Sequence, residues 1–421
     1  MNKLPVIATL LLLGQWSLAF GQQTFKPRPD AFPPEQEQVA SKSVLMATSV
    51  DAMASWDRYP TYETYLAMMQ QWAQDYPELC TIDTIGISIQ GRLILAAHIE
   101  GNRLLDLYRP QFFYSSTIHG DEVTGYVMML RLIDTLLTSY GTSQRLTDLV
   151  NSTAIYINPL ANPDGTYRRG DNTLQGAVRY NANGVDLNRN YPDPFGTTKE
   201  ALQQENAAMI DYVSAHNFRL SANLHGGSEV MNYPWDCFTS WQNPHPQREW
   251  WEQVCQRFVD TCRAIDGSRF RDVTSSGVVA GGDWYVIHGG RQDYMNYYHN
   301  CLEVTMEISS LKTIASEDLP DYWRLLSSAL INYIEEIHSL PGSVGISDRW
   351  PVASGQLSVY PNPATDVVHV QGLSEGTPII LSDLQGRRVL ETSAAQFSVL
   401  DLPAGLYLLS AGSGRTIVIK K

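Results

Sequence analysis

The sequence predicts an α/β protein: a mixed, twisted sheet with helices on both faces, followed by a small all-β sandwich. Three observations point there. Between about residues 57 and 338, apolar runs of strand length alternate with segments of helical period. Residues 339–356 then turn rich in Ser, Gly and Pro, the composition of a linker. From 357 to 421 the chain becomes short alternating runs broken by turns, among them LSVYPNP, VVHVQGL and RTIVIKK.

The elements follow in order. Residues 61–75 (TYETYLAMMQQWAQD) carry apolar groups at helical spacing, and Tyr76-Pro77 ends that helix. Residues 93–99 and 111–118 are apolar runs of strand length, and 123–137 (VTGYVMMLRLIDTLL) is helical in period. Residues 153–159, 219–224 and 302–308 read as further strands, and 318–338 as a last amphipathic helix. Ahead of these, Lys3, the apolar run Leu4–Leu13 and the small residues Ala19 and Gly21 predict an export signal over 1–21. No Cys follows it, which argues against a lipid anchor. Residues 22–56 are polar and contain Pro, and read as a flexible lead-in to the 57–338 domain.

Bulk properties narrow the function. A hydrophobic share of 43% over 421 residues is enough for more than one core. A net charge of -14 excludes the basic footprint of a nucleic-acid binder and favours cationic ligands. No second segment reaches ~18 continuous apolar residues, so no transmembrane span is expected. Export permits disulfides, but five cysteines (Cys80, Cys237, Cys255, Cys262, Cys301) leave at least one thiol unpaired within the chain. Their spacing also excludes a Cys-type structural zinc site.

The chemistry-bearing residues sit at strand ends. His119 and Glu122 follow the apolar run QFFYSS, and a helix starting near Asp121 would put Glu122 in its first turn. His225 ends the run LSANLH and is followed by two glycines. Two imidazoles and a carboxylate are the ligand set of a catalytic zinc, which keeps one position open for water. An HxxE pair alone more often marks two solvated surface residues. Glu307, in VTMEIS, is a charge inside an apolar strand; it is either on a solvated face or retained for function, because burying it unpaired costs several kcal/mol.

Several motifs occur together and in order: YPEL with IGISIQGR at 76–92, HGDE at 119–122, NPDG at 162–165, DLNRNYPD at 186–193, NLHGGSEVMNYPWD at 223–236, and GGRQD through LEVTMEIS at 289–309. On these, residues 57–338 resemble the funnelin-type zinc metallocarboxypeptidases, and NLHGGS with NYPWD resembles their regulatory (N/E-type) branch. The resemblance implies a carboxypeptidase/phosphorylase-like sheet and one zinc ion held by His119, Glu122 and His225. It implies Glu307 as the general base that takes a proton from the zinc-activated water and passes it to the leaving amine. Arg179, nine residues before Asn188, matches the arginine that stabilises the oxyanion. Asn188 and Arg189 match the clamp on the substrate's terminal carboxylate, a task suited to the planar guanidinium fork. Asp186 would fix the tautomer of His119. Tyr285, 22 residues before Glu307, matches a mobile tyrosine, with Tyr294 and Tyr297 as alternatives.

The resemblance further implies release of Arg or Lys, through Asp236 and the polar pocket residue Gln292. Cys237 stands where relatives often carry a second acidic residue, and DYMNYYHN at 293–300 departs from the family's spacing. The expected substrates are peptide or protein C-termini. Rival readings on the same fold are a zinc deacylase, a cell-wall peptide carboxypeptidase and an inactive binding module. The tail, with LSVYPNPATD and DLPAGLYLLS, resembles the C-terminal sorting domain of type IX secretion systems. A transthyretin-like module is the alternative. A sorting tail implies contact with the secretion machinery, passage through the periplasm, and delivery outside the cell or to the outer-membrane surface.

Overall fold

Three apolar runs ending in polar residues become adjacent parallel strands, and the rest of the first folded unit is arranged around them. In this computed structural model, residues 43–101, 109–194, 200–341, 358–360, 364–371, 376–383, 387–411 and 414–420 are described. The export signal expected at 1–21, the lead-in up to residue 42 and the linker from 342 onward lie outside them. The chain divides into two units, Met1–Leu340 and Pro341–Lys421.

In the first unit, β1 (Met46–Ala47) pairs in parallel with β2 (Tyr59–Pro60). Helix α1 (Tyr62–Asp75) begins where Thr61 Oγ1 accepts the Thr64 amide at 3.2 Å, an N-cap, and it buries Tyr65, Met68, Met69 and Trp72. An antiparallel pair follows, β3 (Cys80–Ile87) and β4 (Leu93–Ile99). Next come β5 (Gln111–Ser116), α2 (Thr124–Ser139), α3 (Gln144–Ser152), β6 (Ala154–Asn158) and the single turn α4 (Pro163–Thr166). After α5 (Gln204–Ser214) run β7 (Phe218–His225), β8 (Ser228–Tyr233), α6 (Arg248–Arg263), β9 (Val278–Ala280) and α7 (Gly281–Trp284). Helix α8 (Arg291–Tyr298), β10 (Leu302–Ser309) and α9 (Leu319–Glu335) complete the unit.

These strands form one eight-stranded mixed sheet in the order β3-β4-β6-β5-β7-β10-β8-β9. Its centre, β6-β5-β7-β10, is parallel. Side chains alternate across each strand, so neighbouring residues enter opposite cores. Phe112, Tyr114, Leu220, Leu224 and Met306 pack on one face with α1, α2, α6 and α9. Phe113, Ile94, Tyr156 and Phe218 pack on the other with α5 and α8. The parallel strands all deliver their C-terminal ends to one edge, where open α/β sheets place their ligands.

Two expectations need correction. Residues 43–56 are not a loose lead-in: Ala47 and Met53 are buried in the main core, and the Leu45 amide donates to Ser316 Oγ at 2.7 Å. Their scattered apolar groups have no period to betray this. Helix α2 starts at Thr124, so Glu122 lies in the turn before it, with its amide donating to the His119 carbonyl at 3.1 Å. All five cysteines are buried free thiols, so no disulfide forms among them.

The second unit holds β11 (Ser358–Tyr360), β12 (Val367–Gln371), β13 (Ile379–Ser382), β14 (Arg388–Thr392), β15 (Gln396–Ser398), β16 (Gly405–Ala411) and β17 (Gly414–Lys420). They form a three-stranded sheet, β11-β12-β15, and a four-stranded one, β14-β13-β16-β17. Val368, Val370, Leu381, Phe397, Leu409 and Val418 form a core of their own.

Candidate active site

Loops at the C-terminal ends of β5 and β7 bring three ligand atoms together. After β5 the chain turns at Gly120. A Cβ there would stand 2.4 Å from the Gly165 carbonyl carbon, so only glycine lets this turn rest on α4. His119 Nδ1 lies 3.0 Å from Glu122 Oε1, His225 Nδ1 lies 2.8 Å from Glu122 Oε2, and the two Nδ1 atoms are 3.1 Å apart. All three residues are 3% exposed. Nitrogen and oxygen lone pairs crowded this closely in a buried site repel one another unless a cation or protons lie between them. Two neutral imidazoles and a carboxylate are also the donor chemistry zinc prefers. Among the described residues, no other group of three or more His, Cys, Asp or Glu side chains is close enough to hold an ion.

Each imidazole is braced on its far side. Asp186 Oδ1 lies 3.2 Å from His119 Nε2, and the same oxygen accepts the Asn188 amide at 2.9 Å. Asp186 Oδ2 accepts Arg179 Nε at 2.8 Å, while Arg179 Nη1 reaches to 3.1 Å from His119 Nδ1. On the other imidazole, the Asn223 side-chain amide lies 2.9 Å from His225 Nε2. The Asp186 carboxylate, an acceptor, favours the His119 tautomer with its proton on Nε2. Asn223 went unread in the sequence; its signal is the i, i+2 spacing that puts it on the same strand face as His225.

Glu307 lies directly across from His225 in the β7/β10 pairing, so its side chain shares the site. It is 7% exposed, and its Oε2 meets no hydrogen-bond donor among the described residues. Burial, reinforced by the charge of Glu122, pushes its carboxyl well above the usual carboxylate range. Glu122 moves the other way: burial would raise it, but the adjacent His119 and His225 hold it well below.

The remaining predicted residues gather on the same narrow cavity. His119, Arg179, Asn188, Arg189, His225, Asp236, Tyr285 and Glu307 all line it. Asn188 Oδ1 accepts the Arg291 amide at 2.9 Å, and Arg189 Nη1 donates to the Asn188 carbonyl at 2.8 Å. Tyr285 sits among Glu307, Arg189 and Arg179, and burial followed by the nearby Glu307 charge raises its phenol. Gln292 is behind the wall: its Nε2 donates to Asp236 Oδ1 at 3.0 Å and its Oε1 accepts the Thr305 amide at 2.6 Å. The alternatives Tyr294 and Tyr297 are not among the cavity's lining residues. Asp293, unread in the sequence, takes the Asp236 and Cys237 amides at 2.9 Å each and fixes the backbone there. Burial pushes Asp293 up to about 6, and burial with Asp293 as neighbour raises Asp236 well above its usual range. Asn232, Ile287 and Thr305 also line the cavity and were not foreseen. A second groove is lined by residues of α6, α9 and the turn after it, including Arg257 and Glu336, and its carboxylates do not come close enough together to share an ion.

Residues 65–335 match the family described as zinc carboxypeptidase. The chain belongs to that family. Residues 358–421 match a second family, the secretion system C-terminal sorting domain. Carboxypeptidase D of Anas platyrhynchos is 34% identical over 281 residues, covering 64% of this chain and 20% of that protein. Carboxypeptidase M of Mus musculus is 32% identical, covering 67% of this chain and 66% of that one. The catalytic chain of carboxypeptidase N of Homo sapiens is 29% identical, covering 75% of each. This zinc carboxypeptidase thus spans about a fifth of the length of the D-type relatives it matches. Among solved structures, carboxypeptidase A from Helicoverpa armigera superposes with a TM-score of 0.60 at 19% identity, covering 70% of this chain and 77% of that one. Thrombin activatable fibrinolysis inhibitor gives 0.58 at 17%, covering 68% and 74%. At these identities the likeness establishes the fold: the mixed sheet with helices on both faces expected from the sequence. No helix among the described residues is long and apolar enough to cross a membrane.

Proposed function

We propose that the first unit is an active exopeptidase that binds one zinc ion and hydrolyses the last peptide bond of peptides or proteins, releasing a C-terminal Arg or Lys. The observation that carries this is the convergence of His119 Nδ1, Glu122 and His225 Nδ1, with Glu307 facing them from the next strand. His119, Glu122 and His225 would hold the metal, with Asp186 accepting the Nε2 proton of His119 and so leaving its Nδ1 lone pair free. When bound, zinc supplies a Lewis acid that polarises the scissile carbonyl and acidifies water.

The chain's own groups carry the rest. Asn188 and Arg189 bind the terminal carboxylate and orient the last peptide bond. Arg179, its guanidinium set by Asp186, presents positive charge where the carbonyl oxygen becomes negative. Glu307 takes the proton of the attacking water and returns it to the departing amine; a carboxyl lifted by burial is suited to both steps. Tyr285 closes on bound peptide and keeps bulk water away. Asp236, held by Gln292 and Asp293, offers its carboxylate to a cationic side chain. At the scale of the chain, residues 57–338 are the catalytic domain and 357–421 the sorting tail. The tail and a signal over 1–21 would take the enzyme through the periplasm by type IX machinery, to the outer-membrane surface or beyond.

Hydrolysis of hippuryl-Arg, hippuryl-Lys and hippuryl-Phe, with and without 1,10-phenanthroline, tests the reading. Turnover of the Arg and Lys substrates that the chelator stops is expected. Turnover of none removes the exopeptidase reading, and a preference for Phe removes Asp236 from specificity.

A further inference from the structure

The first residue of α8 carries a buried charge that the proposed reaction does not use. Arg291 is 1% exposed and Glu303 fully buried, and Arg291 Nη2 lies 3.1 Å from Glu303 Oε2. Ser221 Oγ donates to the same carboxylate oxygen at 2.7 Å, from the position opposite Glu303 in the β7/β10 pairing. The guanidinium also lies over the Phe113 ring, 4.9 Å from its centroid. One side chain thus ties the start of α8 to β5, β7 and β10.

A buried ion pair adds little stability, because the loss of hydration offsets the attraction, and apolar side chains of similar size do as well. What this pair does control is the backbone that carries it. The Arg291 amide, a donor that the first turn of a helix leaves unpaired, donates to Asn188 Oδ1 at 2.9 Å. A carboxamide has one acceptor end and one donor end, so a bond that takes Oδ1 leaves Nδ2 for a ligand. Asn188 lines the cavity. Turned the other way, the same carboxamide would present an oxygen to the substrate's terminal carboxylate and repel it. Gln292 Oε1 and Asn296 Nδ2 add bonds from α8 to β10, but the residue whose amide meets Asn188 is anchored through Glu303.

We propose that Arg291 and Glu303 are positioning residues: their buried ion pair sets the first turn of α8, so that the Arg291 amide holds the Asn188 carboxamide with Nδ2 toward the substrate's terminal carboxylate. This rests on the exopeptidase reading and deepens it. Loss of the pair should weaken the grip on the carboxylate and leave the metal ligands and Glu307 as they are. An interaction made equally with bound substrate and transition state shows in KM and not in kcat.

The test is made on the full chain. Arg291→Met combined with Glu303→Leu replaces the pair by apolar groups of similar size, and this double variant should fold and melt close to wild type. Its KM for hippuryl-Arg should rise about 10-fold at nearly unchanged kcat, the scale of one charge-assisted hydrogen bond. Arginine and agmatine as competitive inhibitors separate positioning from general loosening, because agmatine carries the same guanidinium without the carboxylate. The inhibition constant of arginine should rise by about 10-fold, and that of agmatine should stay as in wild type. Glu303→Gln, isosteric and uncharged, should shift the two inhibitors in the same selective way, and it decides if the double variant does not fold. Equal weakening of both inhibitors in a folded variant, or no change in either, overturns the role of the pair and leaves the exopeptidase reading standing. A wild-type chain that cleaves no hippuryl substrate overturns both.

Discussion

At the scale of single residues, the site is a set of charges that the fold keeps in place by balancing them. Glu122 is held ionised by two imidazoles and Asp186 by His119 and Arg179, whereas Glu307 has a carboxylate oxygen that meets no donor among the described residues. A carboxylate in that position is costly to folding and useful to proton transfer. Glu307→Gln should therefore retain zinc at one ion per chain by elemental analysis, melt no lower than wild type, and lose about 10²–10⁴-fold in kcat. Retained turnover would take Glu307 out of the reaction. The converging residues His119, Glu122 and His225, and Glu307 beside them, were legible in the sequence through strand-end positions taken together with the ordered motifs. Asn223, Asn232 and Asp293 were not. A polar residue in mid-strand or on a short helix reads as a solvated face, and only the assembled sheet shows that Asn232 lines the cavity while Asn223 and Asp293 contact residues that line it.

At the scale of elements, the strands read correctly from sequence are those buried on both faces, where apolar residues run without a break. The strands β4, β5, β6, β7 and β10 are of this kind. The unread strand β3 is a sheet edge whose Thr81 and Asp83 are half-buried and Thr84 exposed, β9 is three residues at the other edge, and the buried β8, interrupted by Glu229 and Asn232, was also unread. Helix α6 was also unread, because Arg, Glu and Gln fill its outer face and dilute its apolar stripe. The segment 43–56 gave no signal at all, yet it closes the core: Met53 is 2% exposed, Ala47 fully buried, and β1 pairs with β2 just ahead of α1. Burying one Met is worth about 1.5–3 kcal/mol, before counting the lost strand pair. A chain beginning at Asp57 should therefore melt several degrees below one beginning at Ser43, with the same ligand residues present. Equal melting temperatures would mean that this segment contributes nothing to the core.

At the scale of the whole molecule, the two units carry cores that share no residue among those described. The larger is built on the eight-stranded sheet, and the smaller joins two short sheets through Val368, Val370, Leu381, Leu409 and Val418. Every ligand and every residue assigned to the reaction belongs to the first unit, which ends at Leu340. A domain with its own core folds by itself, and its stability is set by the contacts inside it. The tail's task, on the sorting reading, is finished once the protein has been delivered, so catalysis should not need it. A chain of residues 43–340 is expected to fold, to melt within a degree or two of the main transition of the full chain, and to hydrolyse hippuryl-Arg with unchanged kcat and KM. The isolated tail should give its own, separate melting transition. A truncated chain that binds zinc and melts normally but has lost its turnover would place a necessary part of the active site in the tail. One that fails to fold would show that the two cores are a single cooperative unit.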